Sequence, residues 1–184
     1  YVAYAAAAVD DLLSAYEMFP EVFPDSHLNI PESGNGIPDI LDELKWELDW
    51  VLKMQDPEDG GFYERIYPNN EAVMPHQDET VRYIEDLLDG DIPNTKPTRA
   101  TALATAYLAH AARVFEPFDA EYAAQLLEAA RSGWGFLQAH PDCWPSTWWT
   151  CAPDNVFNVD DQNRLWAAAE LFATTGEDEL NDYF

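Results

Sequence analysis

The chain has 184 residues, 47% of them apolar, and carries 35 acids against 9 lysines and arginines, for a net charge of −26. The apolar fraction suffices for a packed core rather than a disordered chain, and the length suits one domain or part of a larger one. The charge argues against nucleic acid and anionic membrane surfaces, which repel a polyanion, and leaves neutral ligands or bound cations.

No stretch approaches the roughly 20 apolar residues needed to span a bilayer. Tyr1-Val2-Ala3-Tyr4 already reads as helix interior, without the cap or loop that normally precedes a first helix. The chain is therefore expected to be a piece of a longer one, and a missing signal peptide carries no weight against export. Residues 1–17 are Ala-rich, with Val9, Leu12, Leu13 and Tyr16 near helical spacing. Pro20, Pro24, Pro31, Gly34 and Gly36 mark a loop over 20–36.

Pro38 suits the first turn of a second helix, with Ile40, Leu41, Leu44, Leu48, Val51 and Leu52 on one face to about residue 55. Asp39, Asp42 and Glu43 would favour the positive end of its dipole. From Asp56 to Pro97 the pattern is irregular, apart from a turn at Asp59-Gly60-Gly61, one short strand over 62–67 and a helical turn over 80–88. Thr98 or Thr95 is expected to cap a third helix, Arg99 to Phe115, whose alanines on all faces suggest burial between neighbours.

Asp119 should cap the fourth helix, with a stripe of Tyr122, Leu126, Leu127, Ala130, Trp134 and Leu137. Asp160 or Asp161 should cap the fifth, carrying Leu165, Trp166, Ala169 and Phe172 until Gly176 stops it. A sixth starts near Glu177. Short links alternate with long loops, which suits either a ring of helical hairpins or a simple bundle.

Cys143 and Cys151 share one loop, and the residues leave a disulfide and two buried thiols equally open. Their spacing matches no zinc motif. The pairs Asp10-Asp11 and Asp160-Asp161 are expected by chance in so acidic a chain, and Asp10 and Asp11 read as surface charges. His27, His76, His110 and His140 are scattered and read as loop or helix-end polar groups. No Ser/His/Asp pattern, phosphate loop or metalloprotease helix motif is present.

Four segments, in order, resemble glycoside hydrolase family 9: residues 29–50 (NIPESGNGIPDILDELKWELDW), Leu52-Lys53-Met54-Gln55 with Asp59-Gly60-Gly61-Phe62-Tyr63, the run 96–102 (KPTRATA) continuing to Phe115, and 165–178 (LWAAAELFATTGED). The resemblance implies an all-α fold, an (α/α)6 barrel of which residues 1–184 would supply about half the helical hairpins, with long loops on one face. It implies a cellulase or endoglucanase that hydrolyses β-1,4-glucans with inversion, with a β-glucan oligosaccharide or polysaccharide as partner and an exported, extracellular location.

Inversion needs two carboxyl groups roughly 6.5–9.5 Å apart, one protonating the leaving oxygen and one activating water. In the family the base lies in an Asp-Ala-Gly-Asp motif just before a Lys-Tyr pair, and Tyr1 matches that Tyr. The acid lies near the family's C-terminus. No residue of 1–184 is therefore assigned a catalytic role, and the rest of the same catalytic domain is an expected partner. The aromatic loop Cys143-Trp144-Pro145-Ser146-Thr147-Trp148-Trp149 falls where the family contributes to its cleft. Trp148, Trp149 and Phe157 are the candidate sugar contacts, the competing reading being a cluster packed under the loop.

The family also holds calcium in this loop. Its Asp-Glu pair is Gln162 and Asn163 here, so Asn158, Asp160 and Asp161 are the candidate calcium ligands, with helix capping as the competing role for the two aspartates. The zinc some members bind is not expected, because Glu64 stands where a ligand His could sit, no Cys is near, and His76 alone makes no site. No cofactor is required for the chemistry. The rival functions are a non-catalytic glucan-binding or structural helical domain, and a hydrolase of the same fold acting on another sugar, such as an exo-glucosaminidase. Half a ring should also leave apolar inner helix faces exposed well beyond the few hundred Å² usual for a monomer.

Overall fold

The computed structural model of the chain describes residues 1–64, 96–144 and 159–183. Six helices follow in order: α1 (Val2–Met18), α2 (Asp39–Lys53), α3 (Thr98–Phe115), α4 (Ala120–Ala139), α5 (Asp160–Thr175) and the short α6 (Asp178–Asn181), with a 3-10 turn at Pro20–Val22. Among the described residues there is no strand. Of the expected strand, Phe62 makes a single antiparallel bridge with Gln55, and the part beyond Glu64 lies outside the described residues, as does the turn expected over 80–88. No described helix is long and apolar enough to cross a membrane.

The centre is α3. Its alanines are buried on every side, as their distribution predicts, and it packs most extensively on α4 and α5, then on α1. Start pairs with start and end with end along α3 and α5: Thr98 reaches Asp160, and Arg113 reaches Glu170 and Thr174. The two helices are therefore parallel. The α1 side chains Asp10 and Glu17 meet His110 and Arg113 in the same order, so α1 runs the same way. The four-residue link after Phe115 sends α4 back antiparallel to α3. Close approach of α3 and α4 requires Gly133, because a Cβ there would run into the Thr105 hydroxyl.

Helix ends agree with the sequence at two places. Asp119 caps α4 by accepting from Tyr122 N at 2.9 Å, and Gly176 ends α5 in the left-handed region at φ 70°. They differ at three. Pro38 is the residue before α2 rather than in its first turn, Pro97 rather than a threonine precedes α3, and Val159 rather than an aspartate precedes α5. Thr98 and Asp160 sit inside their helices, and the Thr98 hydroxyl donates to Asp160 Oδ1 instead of capping its own helix end.

The face of α5 is also rotated from the expected one. Leu165 is exposed, and the buried positions are Asp160, Asn163, Arg164, Ala167, Ala168 and Leu171. Two adjacent alanines let α5 lie close to α3, which outweighs the burial of one Leu. Large exposed apolar side chains include Tyr1, Tyr4 and Leu12 along α1 and Trp46 on α2.

Asp39 and Asp42 do more than face a dipole. Asp39 is buried and accepts from Ser26 N (3.1 Å), His27 N (2.6 Å), Leu28 N and the Ser33 hydroxyl (3.3 Å), so it organises the loop ahead of α2. Burial alone would raise its pKa, but those donors, Leu28 first, together hold the carboxyl below its ordinary value. Asp25 takes Gly34 N and Gly36 N in the same loop. Asp42 is buried with only Asn35 donating to it, at 3.1 Å, and its other oxygen has no partner. Burial, then the nearby Glu32, Asp39 and Asp25, push the Asp42 carboxyl up despite the Asn35 bond.

Candidate functional site

Three parallel helices place their N-terminal ends on one side of the chain. Such ends leave backbone N–H groups unpaired within the helix and carry the positive pole of the dipole. Both long loops are rooted at this rim. Lys96 Nζ, at the far root of the 65–95 segment, binds Asp56 (2.8 Å) and Asp59 (2.5 Å), and the Tyr63 hydroxyl at the near root donates to the same Asp56 (3.0 Å). The Lys96 bond is the main reason that the Asp56 carboxyl lies below its ordinary pKa. Val2 N donates to the carbonyl of buried Glu64 (2.9 Å), which holds this root against the start of α1.

The second loop is pinned at Thr98, whose N–H donates to the Trp144 carbonyl at 3.3 Å. Thr98 Oγ1 accepts from Trp144 N (3.0 Å) and donates to Asp160 Oδ1 (2.6 Å), so the two ends of residues 145–158 meet on the first turn of α3. The Asp160 Oδ2 atom takes Arg164 Nε at 2.7 Å, and the same guanidinium donates to the carbonyls of Leu137 (2.8 Å) and His140 (2.7 Å). Both carboxylate oxygens of Asp160 are thus engaged, in a buried pair that also closes the end of α4. The Trp144 ring lies 3.9 Å from the His140 ring and edge-on to Phe136 at 5.8 Å. Nearby, Tyr1 and Tyr4 meet edge to face at 5.3 Å, and the Arg99 guanidinium lies 5.9 Å from the Tyr4 ring centre. The rim therefore brings together aromatic rings, the Arg99 and Arg164 guanidinium groups and helix N-termini.

Of the sequence-derived candidates, Trp148, Trp149, Phe157 and Asn158 lie outside the described residues. Asp160 is buried in the Thr98–Arg164 pair, and Asp161 is exposed. Cys143 is disulfide-bonded. The chain's other cysteine, Cys151, lies outside the described residues.

The opposite ends of the same helices hold a second polar cluster. His110, expected at a loop or helix end, is buried inside α3, with Nδ1 2.9 Å from Asp10 Oδ1 and Nε2 3.0 Å from Glu17 Oε2. Arg113 binds Glu17 through Nε (2.7 Å) and Glu170 through Nη2 (3.1 Å). Burial would depress the imidazole's pKa, but the Asp10 bond and the charges of Glu170 and Glu17 outweigh it and raise the value. Asp11 is exposed, as expected, whereas Asp10 is committed to His110. A sequence signal existed: Asp10 and Glu17 are seven apart and share a face of α1, and His110 and Arg113 are three apart and share a face of α3.

Comparison with known proteins fixes the class. The family model for glycosyl hydrolase family 9 matches residues 1–184. The chain is 36% identical to endoglucanase D of Acetivibrio thermocellus over all of its own length and 29% of that protein's. It is 35% identical to endoglucanase C of Cellulomonas fimi, over 97% of the chain and 16% of the relative. Among solved structures, a metagenome-derived family 9 endoglucanase superposes with a TM-score of 0.79 at 39% identity, covering the whole chain and 32% of that structure. The chain belongs to glycosyl hydrolase family 9, and its helical architecture agrees with that family's (α/α)6 fold. It spans less than a third of the length of these relatives.

Proposed function

We propose that residues 1–184 form part of an inverting β-1,4-glucan hydrolase, an endoglucanase-type enzyme whose acid and base carboxyl groups come from outside this segment. The observation that carries this reading is the match along the full chain to proteins named as endoglucanases. The role of the segment is to build one wall of a glucan cleft at the N-terminal rim of α1, α3 and α5. Trp148, Trp149 and Phe157, carried by the loop that Thr98 pins at both ends, supply aromatic faces to the sugar rings. Export is part of the proposal, supported by the disulfide at Cys143.

A structural calcium ion belongs to the same reading. With both Asp160 oxygens engaged, Asn158 and Asp161 would be its side-chain ligands, with carbonyl oxygens completing the shell. A saturable rise in melting temperature on adding calcium chloride is expected, and no rise up to millimolar calcium counts against it. For the glucan reading, Trp148→Ala and Trp149→Ala in the full-length protein are expected to raise KM for cello-oligosaccharides at least about tenfold, since stacked aromatic groups supply much of such binding. Unchanged KM in both variants contradicts the cleft assignment.

A further inference from the structure

We propose that Asp10, midway along α1, and His110 and Glu170, in the halves of α3 and α5 remote from the rim, bind one divalent transition-metal ion of the zinc type. One donor atom from each of the three lies within 4.8 Å of the others. The three residues come from α1, α3 and α5, so one ion would tie together three parallel helices. The site is separate from the cleft, and its failure would leave the glucan reading intact.

The donor set is that of a transition metal. One imidazole with two carboxylates suits zinc and its neighbours, whereas calcium takes oxygen alone. His110 is set up for such a role. A metal-bound histidine donates its second N–H to a carboxylate, which fixes the tautomer and the ring plane. Glu17 stands in that position, 3.0 Å from Nε2, and Arg113 holds Glu17 in turn at 2.7 Å. The tautomer with hydrogen on Nε2 leaves the Nδ1 lone pair facing Asp10 across 2.9 Å, so the contact has to open to roughly 3.3 Å for both to bind a tetrahedral ion. Glu170 is steadied from both sides, Trp166 Nε1 donating to one oxygen at 3.2 Å and Arg113 to the other at 3.1 Å.

Charge points the same way. Asp10, Glu17 and Glu170 bring three negative charges, which Arg113 and a protonated His110 together do not balance. A divalent ion on neutral His110, with Arg113, does balance them. Binding displaces the proton from Nδ1 and changes no bond between Glu17 and Arg113.

The test uses the protein stripped of metal with a chelator and titrated with zinc or cobalt(II). One cobalt(II) ion per chain with d–d absorption of a four- or five-coordinate site is expected, together with a saturable rise in melting temperature with zinc. Asp10→Asn and Glu170→Gln should each weaken binding by at least about tenfold, and Glu17→Gln by about tenfold or more through the imidazole it orients. Absence of binding up to millimolar metal, or equal binding by the parent and by all three variants, overturns the proposal. Should a variant fail to fold, X-ray absorption of the zinc-loaded parent decides. One imidazole with oxygen donors is expected, and a shell of several imidazoles or of sulfur overturns the assignment.

Discussion

The α1, α3 and α5 trio is fastened at both ends by charged side chains, buried at the rim and partly exposed at the far end, and the two ends are built on opposite logics. At the rim the buried pair is balanced: Asp160 takes Arg164 and Thr98, and the guanidinium also donates to two carbonyls. At the far end three carboxylates share one imidazole and one guanidinium. A balanced pair holds a loop in one place. An acid-rich cluster is left with net negative charge, on which the proposed metal site rests. The difference teaches that charge in this chain is matched pair by pair at one end and left acid-rich at the other.

The sharpest way to break the comparison is to unbalance the rim. Arg164→Met leaves Asp160 buried without a counter-ion and removes the guanidinium donors to the Leu137 and His140 carbonyls. Loss of one partner of a buried pair costs about 3–5 kcal/mol, measured by denaturant unfolding. A loss below about 1 kcal/mol would mean that Asp160 does not depend on that pair. Thr98→Val comes next, removing one hydroxyl that serves Trp144 and Asp160 at once. About 1–3 kcal/mol is expected, together with a change in near-ultraviolet circular dichroism from displaced tryptophan.

Asp39 gives a pH-dependent test in a third place. Its folded pKa lies below the ordinary 3.8, so its contribution to stability is present above the unfolded value and is lost as pH falls through the folded one. Stability should decline as pH drops below about 4, and Asp39→Asn should flatten that acid limb while lowering stability at pH 7. An unchanged acid limb would show that other carboxylates dominate it. The smallest effect belongs to Arg131, whose pair with Glu177 is half exposed on both sides. Arg131→Ala should cost less than about 1 kcal/mol, and less again in high salt.

How much of this was legible in the sequence follows from what each residue answers to. Helix order, the burial of Ala-rich α3, the Asp119 cap and the Gly176 stop are set by local chemistry, so spacing and residue type sufficed. The face of α5 was not legible, because Ala167 and Ala168 pack by being small and Arg164 is buried by partners 24 and 27 residues away. Asp39 read as a dipole residue for the same reason. Nothing local says that four donors from residues 26–33 converge on it. At the candidate site, the sequence found the aromatic loop but not its fastening, since Thr98 resembles any helix-start threonine until Asp160 is brought beside it. The His110 cluster was half legible, in two same-face pairs on two helices whose meeting only the fold supplies.

The account stands or falls on the chemistry of the protein that carries this segment. Hydrolysis of cellohexaose by that full-length protein, followed by proton NMR of the newly formed reducing ends, is the most direct measurement. The expected result is rapid cleavage in which the α-anomer appears first, with no turnover by residues 1–184 alone. The β-anomer appearing first, no cleavage by the full-length protein, or turnover by the isolated segment would each contradict it.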